Sequence, residues 1–165
     1  RWLDAHPDLN PQFIFTFPSY NLRNNEIGAV LGISQLSKLD RMIEARNDNH
    51  RYFIDKLKKN TFFRDFKMQG SSNYAFNLIQ HDSDLDYSAR LMRALESNEI
   101  EFRRGSAGGG NQLRQPYLKN NPSIHQNYTE FPVTEHIHFF GYYIGNFPQL
   151  TKDDIDFIIK VINKV

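Results

Sequence analysis

The chain has 165 residues, a length that suits one compact domain or one domain with a piece of another. Hydrophobic residues make up 39% and charged residues 24%, and 14 Phe with 8 Tyr can fill a sizeable core, so this is not a disordered tail. The formal net charge is +1, and Lys58-Lys59 and Arg103-Arg104 are too little basic clustering for a nucleic-acid binder.

The first residue is Arg1 rather than methionine, which suggests missing upstream sequence. Arg1 to Pro18 carries three prolines and little periodicity, and reads as a loop with Phe13-Ile14-Phe15 as a short extended piece. Ser19 to Asn25 is polar and turn-like. From Glu26 the apolar positions Ile27, Val30, Leu31, Leu36, Leu39, Ile43, Phe53, Ile54 and Leu57 recur at helical spacing. One helix, or two nearly continuous ones, is expected over Asn25 to Lys59, with Asp55 and Lys59 placed as an i,i+4 ion pair. Tyr74 to Ile79 is strand-like, and Phe62 to Met68 is its expected antiparallel neighbour across Gly70-Ser71-Ser72-Asn73. Asp82 to Asp86 supplies caps for a helix whose apolar face is Ala89, Leu91, Met92 and Leu95. Ile100 and Phe102 alternate with charged residues in a short strand. Residues 105 to 135 read as one long loop, of a length that usually has a task. His138 to Ile144 reads as a strand, and Thr151-Lys152-Asp153-Asp154 opens a last amphipathic helix with Ile155, Ile158, Ile159 and Ile162 inward. The fold class is α/β, as a small α+β layer of helices on a short, mainly antiparallel sheet preceded by a connecting helix.

Three places could carry chemistry. Tyr20-Asn21-Leu22-Arg23 lies just before a helix, where an amide, a guanidinium and free backbone N–H groups can hold an anion. Its plain alternative is an ordinary cap with a surface arginine. Arg103 to Tyr117 combines arginines with glycines that admit close approach of a ligand, but no Gly-Lys-[Ser/Thr] follows, so it is not a P-loop. A flexible surface loop is the competing reading. His136 and His138, placed on a strand, would share one side, but Glu135 would face the other and no third ligand is near, so no metal site is expected. No apolar run approaches the ~20 residues of a membrane span. No signal-peptide pattern opens the chain, and the absence of cysteine permits a reducing compartment, with the cytoplasm as default.

The segment from Pro18 to Arg46, with Tyr20, Asn21, Arg23, Glu26, Ala29, Gly32, Gln35, Leu36, Leu39 and Asp40, resembles the hallmark stretch of the DegT/DnrJ/EryC1/StrS sugar aminotransferase family. Ile144-Gly145-Asn146-Phe147-Pro148 through Asp154-Ile155 resembles that family's ending. The resemblance implies the C-terminal part of a type I aminotransferase fold. Residues 1–33 would end the large domain that binds pyridoxal 5'-phosphate (PLP), and residues 34–165 would form the small domain. It implies a homodimer with its active site at the interface, a nucleotide-linked keto sugar as substrate, and an amino donor. The cofactor lysine is expected upstream of Tyr20, whereas the first lysine here is Lys38, so this chain alone is expected to be inactive. Asn21 and Arg23 would reach the cofactor phosphate of the neighbouring subunit, while Tyr20, Arg103, Arg114 and Tyr117 would face the substrate. Gly110-Asn111-Gln112-Leu113-Arg114-Gln115-Pro116-Tyr117 is similar to the sugar 3-dehydrase branch, in which histidine replaces the lysine. A non-catalytic binding module of the same ancestry is the further alternative. It would lack the exposed apolar face along Ile27, Val30 and Leu31 that a missing large domain would leave.

Overall fold

The computed structural model describes residues 25–105, 110–114, 118, 123 and 127–165, and the chain divides into two compact units, residues 1–37 and 38–165. In the first unit, helix α1 (Glu26–Leu36) starts where the Asn25 side chain accepts from the Gly28 N–H at 2.7 Å. Its apolar side chains Ile27, Val30 and Leu31 are all exposed. Of the two expected alternatives, the pair of nearly continuous helices is the one found, with the break at Ser37-Lys38 and the second helix in the other unit.

That unit opens with α2 (Leu39–Lys56), followed by β1 (Ala75–Ile79), α3 (Leu85–Ser97), β2 (Phe102–Arg104), α4 (Pro132–Phe140), β3 (Gly141–Gly145) and α5 (Lys152–Asn163). The sheet is antiparallel in the order β1-β3-β2. Its register pairs Phe76 and Phe102 with Ile144, and Leu78 and Arg104 with Tyr142. Alternation then puts Phe76, Leu78, Tyr142 and Ile144 on one face. There they form a single core with Phe53 and Leu57, Leu91 and Leu95 of α3, and Ile155, Ile158, Ile159 and Ile162 of α5.

Caps and polar stitches fix the elements that this core joins. Asp84 accepts from the Tyr87 N–H to start α3, and Thr151 and Asp154 form a reciprocal capping box at α5. Buried Asn146, just past β3, donates to the carbonyls of Arg46 and Asn73, both at 2.8 Å, and ties the sheet end to α2.

Four expectations need correction. Helix α2 stops at Lys56 because Leu57 is extended, so Asp55 has no helical partner in Lys59 and instead meets Arg64 at 3.8 Å. Phe62 to Met68 does not form a second strand; a single bridge joins Phe62 to Gln80. His138 to Phe140 is helical, and the strand begins only at Gly141. A side chain at 141 would place its Cβ 2.6 Å from the Ile137 carbonyl, so glycine makes this helix-to-strand corner possible. The stretch expected as one loop likewise contains 3₁₀ turns at Gln112–Arg114 and Tyr128–Glu130 and the start of α4.

Candidate functional site

Helix α4 builds the site. Pro132 occupies its first turn, where the missing N–H costs nothing, and Glu135 places negative charge near the positive end of the dipole. At ~100° per residue, positions 135 and 138 share a face and position 136 looks away.

Glu135 and His138 together hold residues 110–114. Asn111, itself buried, donates from Nδ2 to Glu135 Oε1 at 2.6 Å and from its backbone N–H to His138 Nδ1 at 3.1 Å. Arg114 donates from Nε to both Glu135 oxygens, at 2.9 and 3.0 Å, and from Nη2 to Oε2. The Asn111 side-chain oxygen accepts from the Leu113 N–H at 3.1 Å and closes the turn between them. Gly110 has φ +81°, and a Cβ there would lie 2.2 Å from His138 Nδ1, so both backbone and space demand glycine. The Tyr128 and Phe139 rings lie 4.1 and 5.0 Å from the Arg114 guanidinium, and Arg104 lies 5.8 Å from the same Phe139 ring.

The electrostatics follow from these contacts. The hydrogen bond from Arg114 holds the Glu135 carboxyl below its ordinary range against partial desolvation, and Asn111 adds to the effect. The same bond raises Arg114 further. Because His138 Nδ1 accepts a backbone N–H, the neutral ring carries its proton on Nε2.

His136 belongs elsewhere. Its Nε2 donates to the Gln80 carbonyl at 2.7 Å and its Nδ1 lies 3.4 Å from the Ser83 hydroxyl. The two histidines expected to share one side of a strand thus occupy different sides of a helix.

Of the expected site residues, Arg103 and Arg114 are described, while Tyr20, Asn21, Arg23 and Tyr117 lie outside the described residues. The structure does not bring the two arginines together. Arg103 pairs with Tyr143 on the reverse face of the sheet and lines a cavity of about 460 Å³ with Tyr74, Tyr143, Phe147 and Phe157. Strand parity makes Arg104, not Arg103, the neighbour of the Arg114 cluster. Arg104 and Asn111 lie within the candidate segment Arg103 to Tyr117 without a role of their own, and Glu135 and His138 enter the sequence reading only as rejected metal ligands. The signal for Glu135 and His138 was their i,i+3 spacing after Pro132, which a strand reading hides.

Similarity to known proteins agrees with this architecture. The fold is that of the PLP-dependent aminotransferase class: the Escherichia coli GDP-4-keto-6-deoxy-D-mannose-3-dehydratase, solved with bound hydrated PLP, aligns with a TM-score of 0.74 at 29% identity, covering 92% of this chain and 38% of that one. A DegT DnrJ EryC1 StrS aminotransferase from Brucella abortus aligns with a TM-score of 0.72 at 20% identity, over 96% of this chain and 40% of its own. The chain belongs to the DegT/DnrJ/EryC1/StrS aminotransferase family, whose pattern it matches over residues 5–163. Among curated relatives, the GDP-4-keto-6-deoxy-D-mannose 3-dehydratase of Escherichia coli O55:H7 is 30% identical over 158 residues, which is 91% of this chain and 38% of the relative. This chain therefore spans less than two fifths of that relative's length.

The family cofactor carries a phosphate, and helix N-termini are common phosphate seats. Every described α-helix has an acidic residue in its first turn: Glu26, Asp40, Asp86, Glu135, and Asp153 with Asp154. The Arg114 fork is held by Glu135. The described residues by themselves thus do not fit a cofactor phosphate, and no described helix, as far as residue 163, carries a membrane-spanning apolar stretch.

Proposed function

We propose that this chain is the C-terminal portion of a PLP-dependent enzyme acting on a nucleotide-linked keto sugar, as an aminotransferase of polysaccharide or deoxyaminosugar synthesis. The observation that carries this reading is family membership over residues 5–163. The exposed apolar face of α1 supports the view that a larger domain covers it in the full-length protein. Bound PLP would supply the electron sink. Asn21 and Arg23 would grip its phosphate in trans across a homodimer interface, and Tyr20, Arg103, Arg114 and Tyr117 would face the sugar nucleotide. The cofactor lysine would lie upstream, in a cytoplasmic full-length enzyme.

A second reading, sugar 3-dehydration, is favoured by the 30% identity to the 3-dehydratase. Full-length protein incubated with GDP-4-keto-6-deoxymannose, PLP and glutamate separates the two by product mass spectrometry. A product that gains the amino nitrogen supports transamination. A nitrogen-free product lacking the C3 oxygen supports dehydration. No turnover across a panel of nucleotide-linked keto sugars, with no cofactor absorbance, would leave the non-catalytic module.

A further inference from the structure

We infer that Glu135 is the positioning residue of the substrate-side segment: it sets Arg114 and Asn111 in place, and Arg114 acts toward substrate only from the orientation that this carboxylate imposes. The inference rests on the proposed reading of the chain as part of a sugar-nucleotide enzyme, and it adds a residue to which no role has been assigned.

Three observations converge on it. One carboxylate receives the side chains of both Asn111 and Arg114, with Arg114 reaching both of its oxygens. A guanidinium held at two oxygens has its plane fixed, unlike a lysine ammonium in the same place. The rings of Tyr128 and Phe139 then lie against that plane. One helical turn on, His138 accepts the Asn111 N–H and packs against Gly110. Residues 110–114 are thus read by a single face of α4, and among the described residues Glu135 is the member of that face that bonds the side chains of both Asn111 and Arg114.

The pair is also partly shielded, with Arg114 31% and Glu135 18% exposed at their side chains. An exposed ion pair would contribute little, whereas this one is backed by an amide and two rings. Glu135 need not touch substrate. Its effect would pass through Arg114, which distinguishes it from a direct ligand.

The test uses the full-length protein with Glu135→Gln, Glu135→Asp, Arg114→Met and the double variant Arg114→Met/Glu135→Gln. Two readouts are taken: steady-state kinetics with the nucleotide-linked sugar, and the rate of tryptic cleavage after Arg114 without substrate. Glu135→Gln should raise KM about tenfold or more, the size of one charge-assisted hydrogen bond, with cofactor absorbance and kcat much less affected. Glu135→Asp should recover part of the loss. The double variant should be no worse than Arg114→Met alone, because the two residues act as one unit. Cleavage after Arg114 should accelerate in Glu135→Gln. An unchanged or lowered KM in Glu135→Gln would overturn the inference, since it would make Arg114 an independent ligand that the carboxylate hinders. Should the wild type turn over no sugar nucleotide while Glu135→Gln still opens Arg114 to trypsin, the enzymatic reading fails and the positioning stands. An unchanged cleavage rate sinks the positioning whatever the activity.

Discussion

Helices α1 and α5 are both rich in isoleucine, and their fates are opposite. In α5, Ile155, Ile158, Ile159, Val161 and Ile162 are at most 8% exposed. In α1, Ile27, Val30, Leu31, Ile33 and Leu36 are between 60% and 75% exposed. The cause is visible in the sequence of each. Helix α5 gathers its apolar residues on one stripe and its Asp and Lys residues on the other, as a surface helix does. After Glu26, α1 has no charged residue and no polar face. On the proposed reading a larger domain covers this helix, and covering each large side chain would be worth roughly 1.5–3 kcal/mol. The same residue types therefore stabilise one region from within and stand exposed in the other.

The sharpest way to break this comparison is to truncate one side chain in each region. Phe53 is fully buried and stacked on Phe76 with ring centroids 4.4 Å apart. Phe53→Ala should cost about 3–5 kcal/mol in urea unfolding of this chain. Leu31→Ala in α1 should stay within about 0.5 kcal/mol here, yet cost about 2–5 kcal/mol in the full-length protein. A small effect of Leu31→Ala in both contexts would mean that nothing covers α1.

A second test sets two glycines against each other. Gly70 and Gly110 both have positive φ, at +77° and +81°, but only Gly110 has a neighbour where a Cβ would fall. Gly70→Ala should cost about 1 kcal/mol from backbone strain alone, and Gly110→Ala about 1–3 kcal/mol more as His138 is displaced. Equal losses in thermal unfolding would show that His138 yields easily and that the site is not rigid.

How far these regions could be read beforehand differs for physical reasons. The core was legible because Ile155, Ile158, Ile159 and Ile162 keep a helical period that only one face satisfies, and Thr151 marks the start. The site was less so. His138 to Ile144 contains Phe139, Phe140, Tyr142 and Tyr143 around one glycine, and a short apolar run carries no reliable period. Reading it as a strand turned Glu135 away from the loop and set two histidines side by side. What makes it a helix is a proline at 132, a corner that only Gly141 can turn, and a carboxylate that finds Arg114 twenty-one residues back. Such long-range pairing leaves no local pattern. Arg103 and Arg104 show the same limit at a smaller scale, because strand parity alone decides which of them faces Phe139.

The smallest expected effect lies within the buried region itself. His50 is 1% exposed, sits edge-on to Phe66 at 5.8 Å, and has no hydrogen-bond partner on either ring nitrogen among the described residues. Burial lowers its pKa from the ordinary 6.5, so the folded state keeps the ring neutral while the unfolded chain takes up a proton. The unfolded state then binds more protons below pH 6.5, and stability is lost as the pH falls from there toward the lowered folded value. Above pH 6.5 the contribution is fully present. His50→Leu removes the titrating group and fills the same apolar space, so urea unfolding at pH 7.5 and 5.5 should show a smaller acid loss in the variant than in the parent chain. An identical loss in both would assign the acid sensitivity to other groups, and would mean that His50 is solvated in a way its burial conceals. A reduced loss would show that the region around α2 tolerates its one fully buried imidazole only as a neutral ring.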